Sequence, residues 1–277
     1  MQVLLFFEMK NNPIGIFDSG IGGLTVAHAI QEKLPNEQLI YFGDTAHLPY
    51  GDKEPYSIKH YSTEIAKFLL EKKVKLIVIA CHTASSVAFK EVSKVVGNRA
   101  LVLNVVDPVI AALQKLRDPE HLVGIIGTKG TIGSNIYPHK LSKLNKSLKL
   151  ACLETPLLCP MIEEGFINDQ ISQTVINTYL SEKVLKNITH MVLACTHYPL
   201  IKAQITHYYK GNINIIDPSE VVAETAKNLL KEANLLRKES SGLDHHFYVS
   251  DYTQSFEQST RYFFGEKVTL EKGNIWS

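Results

Sequence analysis

The chain has 277 residues, with 29 Lys and Arg against 28 Asp and Glu, 45% hydrophobic residues and four cysteines. That balance excludes a disordered tail and a disulfide-stapled secreted scaffold, and it offers no basic footprint for nucleic acid. No positively charged start precedes an apolar stretch of signal-peptide length, so the expectation is a cytoplasmic protein with free thiols, no membrane span and small, uncharged to anionic partners.

Residues 1–12 read as an extension, since Met1 to Glu8 is apolar but too short to cross a membrane and Met9 would make an equally good start. The segment Ile14-Gly15-Ile16-Phe17-Asp18-Ser19-Gly20 is a short apolar strand running into a glycine turn. Leu24 to Leu34 carries apolar residues three and four apart and stops before Pro35, which predicts a helix. Leu39 to Asp44 is a second strand, 61–72 and 85–96 are amphipathic helices, and the run Ile77-Val78-Ile79-Ala80 between them delivers Cys81. Val105-Val106-Asp107-Pro108 reads as the end of a further strand, because proline cannot continue a central ladder. The second half repeats the scheme with strands over 122–126, 148–153 and 190–194, a helix over 169–186, and Ile215-Ile216-Asp217-Pro218 as another strand end. A helix over 219–235, a polar linker from Arg237 to Gly242, a strand Phe247 to Ser250 and a helix Phe256 to Phe264 complete the chain.

Three features recur in the same order. The turn at Asp18-Ser19 matches Gly127-Thr128, the strand ending at Cys81 matches the strand Met191-Val192-Leu193-Ala194 ending at Cys195, and Asp107-Pro108 matches Asp217-Pro218. Asp18 to Cys81 spans 63 positions and Gly127 to Cys195 spans 68. Such ordered self-similarity predicts an α/β fold of two pseudo-symmetric α/β domains with mainly parallel sheets and an active site in the cleft between them. The first domain would be discontinuous, 13–106 plus 217–277, and the second would be 107–216.

In parallel α/β sheets, ligands gather at the carboxyl ends of strands, where both cysteines stand. A thiolate is a competent base and a thiol a competent acid, so two facing cysteines suit removal and return of a proton on opposite faces of one carbon. Asp18 and Ser19 are the candidates near Cys81; His197 and the acidic pair Glu163-Glu164 are those near Cys195. The hydroxyls of Ser19, Thr83, Thr128, Thr131 and Thr196 offer neutral donors to carboxylate oxygens. No pyridoxal phosphate signature is evident, so no cofactor is expected. Zinc held by Cys81-His82 and Cys195-Thr196-His197 is the weaker reading because adjacent residues at a strand end diverge, and no metal is expected. A redox disulfide between Cys81 and Cys195 is weaker too, without a Cys-x-x-Cys pair. Cys152 and Cys159 read as small buried hydrophobes, and His245-His246 receives no role.

At Phe17-Asp18-Ser19-Gly20-Ile21-Gly22-Gly23-Leu24-Thr25, Gly43-Asp44-Thr45-Ala46-His47-Leu48-Pro49-Tyr50-Gly51, Gly127-Thr128-Lys129-Gly130-Thr131 and Ala194-Cys195-Thr196-His197-Tyr198-Pro199-Leu200, the chain resembles the glutamate racemases of the aspartate/glutamate racemase family. The resemblance implies cofactor-independent interconversion of L- and D-glutamate, with D-glutamate going to peptidoglycan. It assigns the α-proton of D-glutamate to Cys81 and that of L-glutamate to Cys195, with Asp18, Glu163 and His197 tuning the thiols. It also implies that Asp18, Ser19, Tyr50, Gly51, His82, Thr83, Thr128, Thr196 and His197 hold the substrate, and that the protein is a homodimer. Glu163 is chosen over Glu164 from the segment resembling Pro156 to Gly165. The family pattern has asparagine where this chain has His82; a protonated His82 would assist carboxylate binding and lower the Cys81 pKa. An aspartate racemase, a related decarboxylase and a non-catalytic amino-acid-binding homologue are the alternatives.

Overall fold

The structure is a computed structural model, described over residues 9–116, 121–144, 148–239 and 243–276. Its first unit runs β1 (Ile14–Asp18), α1 (Leu24–Lys33), β2 (Leu39–Gly43), α2 (Pro55–Glu71), β3 (Leu76–Ile79), α3 (His82–Val87), α4 (Phe89–Val96) and β4 (Leu101–Asn104). The second runs α5 (Val106–Leu113), β5 (Leu122–Gly127), α6 (Lys129–Gly133), α7 (Ile136–Leu144), β6 (Lys149–Glu154), α8 (Leu158–Glu163), α9 (Gln170–Leu180), β7 (His190–Ala194), α10 (Lys202–Tyr208) and β8 (Asn214–Ile216). After these come α11 (Pro218–Glu232), β9 (His246–Val249), α12 (Gln254–Phe264) and β10 (Leu270–Lys272).

Every strand pairing is parallel, in two sheets ordered β10-β9-β2-β1-β3-β4 and β6-β5-β7-β8. Removing β9 and β10 leaves the same order in both: β1 corresponds to β5, β2 to β6, β3 to β7 and β4 to β8. The central strands β1, β3 and β7 are buried along their whole length, as expected of strands covered by helices on both faces. The register sets Phe17 opposite Ile79 in the first sheet and Gly127 opposite Ala194 in the second. Both cysteines therefore leave the same edge of equivalent strands.

Several expected elements shift, each for a local reason. Asp107-Pro108 does not end a strand. The strand stops at Asn104, whose Oδ1 accepts the amides of Val106 and Asp107, and Asp107 lies in the first turn of α5. Asp217 caps α11 by accepting the Ser219 amide, with Pro218 at the first helical position, where its missing N–H costs nothing. The expected helix over 61–72 begins instead at Pro55, for the same reason. The expected helix over 85–96 is two helices meeting at Ala88, and that over 169–186 stops at Leu180, with a short 3-10 turn over Lys183–Leu185 beyond it. Residues 9–12 are not a loose extension. Met9 packs on the core, and the Lys10 carbonyl accepts from Lys75 Nζ at 2.6 Å. Lys75 is fully buried and ion-pairs with Glu37 at 2.5 Å. Residues 1–8 of the extension and 240–242 of the linker lie outside the described residues. Among the described residues, no helix is long and apolar enough to cross a membrane.

Candidate active site

The cleft lies where the carboxyl ends of the two sheets meet. It is lined by Ser19, Tyr50, Gly51, Cys81, His82, Thr83, Thr128, Thr131, Cys159, Glu163, Cys195, Thr196 and His197, with Leu48, Pro49, Asp52, Lys129, Pro156, Pro160 and Ala194 at its walls. Apart from Asp18, all the expected site residues are there. The two units touch closely enough to require glycine at three points, one of them Gly22, where a Cβ would sit 2.6 Å from His197 Nδ1. A Cβ on Gly51 would sit 2.9 Å from the Thr128 Cβ, and one on Gly130 would sit 2.8 Å from the Thr83 Cγ2. Three hydroxyls close the gap, with Thr83 3.0 Å from Thr128 and 3.2 Å from Thr131, and Thr128 3.1 Å from Thr131. On the opposite side, Thr25 of α1 donates to the Thr196 carbonyl at 2.9 Å.

Cys81 sits just before α3 and caps it, its Sγ accepting the Ala84 amide at 3.4 Å and donating to the Ser19 hydroxyl at 3.7 Å. Burial pushes this thiol up to about 12, and the neighbouring Asp18 carboxylate adds to the effect. Asp18 is fully buried beneath the cleft wall. Its Oδ2 accepts the amides of Gly20 and Gly23 at 3.2 and 3.0 Å, so it braces the turn that carries Ser19. Burial raises its pKa against the opposing pull of His197.

Cys195 has a different company. Its Sγ lies 3.6 Å from His197 Nδ1, and His197 Nε2 lies 2.9 Å from Glu163 Oε1. Burial and the neighbouring Cys159 raise the Cys195 thiol, while the His197 hydrogen bond and charge pull it back. Burial opposes a charge on His197, but its bonds to Cys195 and Glu163 outweigh that and raise it well above the usual imidazole range. Of the acidic pair, Glu163 faces the histidine from the end of α8, and Glu164 is exposed at the helix terminus.

The structure corrects one reading of this region. His82 is 3% exposed and neither ring nitrogen has a hydrogen-bond partner. Burial alone lowers its pKa to about 3, so the ring is neutral and cannot supply the positive charge expected beside Cys81. Cys159 is buried in the core as expected, and its Sγ also lies 3.1 Å from that of Cys195. The spacing held a signal: Cys159 and Glu163 stand four apart on α8, hence on one face of it. All four cysteines are free thiols, so Cys81 and Cys195 form no disulfide. Tyr50 is buried in the wall with its hydroxyl committed to Asp44 Oδ2 at 2.6 Å; Asp44 also accepts from Ser250 and Trp276.

Residues 23–226 match the profile of the Asp/Glu/Hydantoin racemase family. The chain belongs to that family. It is 42% identical over 257 residues to a glutamate racemase of Chlorobaculum parvum, covering 93% of this chain and 94% of the relative. It is 37% identical over 255 residues to a glutamate racemase of Geobacter metallireducens, covering 92% and 93%. Among solved structures, glutamate racemase of Francisella tularensis in complex with D-glutamate superposes with a TM-score of 0.89 at 37% identity, covering 96% of this chain and 98% of that one. The aspartate racemase of Picrophilus torridus, at 22% identity and a TM-score of 0.59 over 80% of this chain and 94% of its own, shares the fold. Like these family members, the chain is an amino-acid racemase, an isomerase.

Proposed function

We propose that this racemase interconverts L- and D-glutamate with Cys81 and Cys195 as its two acid–base groups. The observation that carries the reading is the emergence of both thiols from the same end of equivalent strands, β3 and β7, into one cleft. Cys81 as thiolate takes the α-proton from one face of the carbon, and the Cys195 thiol returns a proton to the other. The stereocentre inverts, and the two sulfurs have exchanged protonation states. In the opposite direction the roles reverse. Two thiols supply both base and acid, so the proton balance closes within the chain.

The cleft is narrow. Its cavity of about 60 Å³ holds only a few water molecules. A thiolate formed there is a strong base because little solvent stabilises it, and a substrate ammonium entering the cleft offsets the cost of that charge. Ser19, Thr83, Thr128 and Thr196 line the cleft with hydroxyl donors suited to the substrate carboxylates, and backbone at Gly51 borders the same space. His197, held by Glu163, supports ionisation of Cys195. Asp18 acts from below, through the turn and through its charge. Glutamate is preferred to aspartate because relatives sharing 37–42% of residues over more than nine-tenths of the chain are glutamate racemases. A role in supplying D-glutamate for peptidoglycan, a cytoplasmic location and a homodimeric state belong to the same proposal and rest on the family resemblance.

Circular dichroism of L- and D-glutamate incubated with the purified protein tests this. Both signals should decay to zero, aspartate should not, and Cys81→Ala and Cys195→Ala should each abolish the decay. A stable glutamate signal from either enantiomer would end the proposal.

A further inference from the structure

The two-thiol reaction leaves Cys159 without a task, although it stands in contact with Cys195. Its Sγ is 3.1 Å from Cys195 Sγ, Cys195 Sγ is 3.6 Å from His197 Nδ1, and the three atoms all lie within 4.8 Å of one another in buried surroundings. We propose that Cys159, Cys195 and His197 form a site for one thiophilic divalent cation, Zn2+ above others, whose binding blocks the Cys195 half of the cleft. This inference rests on the racemase reading only for its inhibitory consequence.

The donor set is two sulfurs and one imidazole, the combination that selects zinc over hard cations. Tetrahedral zinc with Zn–S near 2.3 Å and Zn–N near 2.05 Å requires S···N of about 3.5 Å and S···S of about 3.8 Å. The Cys195–His197 S···N distance already agrees, Cys159 Sγ lies within 4.8 Å of the imidazole and would close on it as the ion binds, and the sulfurs need to part by about 0.7 Å. The far nitrogen of His197 is held by the Glu163 carboxylate at 2.9 Å, the carboxylate–histidine pairing that orients metal-bound imidazoles and leaves Nδ1 facing the sulfurs. Glu163 and Cys159 come from one short helix, so the ligand and the group that orients its neighbour are set by the same backbone.

Charge favours the same conclusion. Binding releases a proton from each thiol and one from His197 to solvent, and two thiolates neutralise the dication, so no positive charge is added to a buried place. The fourth coordination position opens to the cleft, which all four residues line, and water or a substrate carboxylate would take it. Cys81 and His82 belong to no such group among the described residues. Among the described residues, this is the one set of three histidine, cysteine or carboxylate ligands that the fold brings together. An ion there removes Cys195 as a proton donor and acceptor, and the protein becomes sensitive to free zinc.

The test uses the whole chain, metal-stripped and kept reduced with a phosphine. Titration with Co2+ should give thiolate-to-metal charge-transfer absorption saturating at one equivalent, and Zn2+ should displace it. Zinc should suppress glutamate racemisation and a chelator should restore it. Cys159→Val, with Cys159→Ser as a second variant that preserves volume, should weaken zinc binding at least 10-fold, and racemisation by either variant should resist zinc at the concentration that halves the wild-type rate. Absence of stoichiometric cobalt binding, or equal affinity in the Cys159 variants, would overturn the proposal. Cobalt bands without racemisation would sustain the site and defeat the racemase reading; racemisation without cobalt bands would do the reverse.

Discussion

His82 offers a direct test of how completely the first half-site is sealed. The ring opens α3 next to Cys81, 3% exposed and unpartnered at both nitrogens, with a pKa lowered from 6.5 to about 3. Between those two values the unfolded chain holds a proton that the folded chain refuses, so stability rises with pH, by up to about 1.4 kcal/mol per unit. Lowering the pH from 7 to 5 therefore costs the wild type about 2 kcal/mol through this residue alone. His82→Asn removes the titrating group and with it this loss. Urea unfolding of both proteins at pH 5 and pH 7 isolates the effect, because every other ionisable group is common to the two. The wild type should lose about 2 kcal/mol more than the variant on acidification. A difference smaller than about 0.5 kcal/mol would mean that the ring finds solvent or a partner, and would refute the burial argument.

Gly22→Ala would place its Cβ 2.6 Å from His197 Nδ1 and 2.7 Å from Thr196 Oγ1, so the imidazole must leave Cys195. We expect kcat to fall by about 100-fold with the fold retained, measured by racemisation and thermal melting beside Gly133→Ala, where a Cβ meets open space. Glu163→Gln removes the carboxylate that holds His197 and should lower kcat/KM by about 100-fold. The loss must be equal in both directions, because enantiomers have an equilibrium constant of one; a change below about threefold would show that Glu163 has no part in positioning His197.

The sequence carries the plan of the two sheets because parallel strands buried on both faces must be written as unbroken apolar runs, as Ile14 to Phe17 and Met191 to Ala194 are. It carries the half-site residues for a related reason: the turn after such a strand has few ways to be built, and Asp18-Ser19 and Thr128-Lys129-Gly130 belong to those turns. Asp107-Pro108 misleads because the pair serves equally to end a strand and to start a helix, and Asn104 decides for the helix by taking two amides. The three-residue strand β10 is too short to show a period, and α7 carries Pro138 near its start, which hides its helical pattern. Neither the neutrality of His82 nor the company of Cys159 is a property of residue type. Both follow from what the fold stacks around them, which periodicity cannot place.

The hub at Asp44 has a consequence for biosynthesis. Its carboxylate accepts the Tyr50 hydroxyl in the cleft wall and also the Ser250 hydroxyl and the Trp276 indole. As the chain emerges from the ribosome in order, the wall carrying Tyr50 cannot reach its final bonding until residue 276 is free, although β1, β2 and β3 are available long before. The second sheet is complete once β8 has appeared, so the half of the molecule encoded later is ready earlier. A nascent chain would thus complete the sheet that carries Cys195 while Cys81 still waits for its wall.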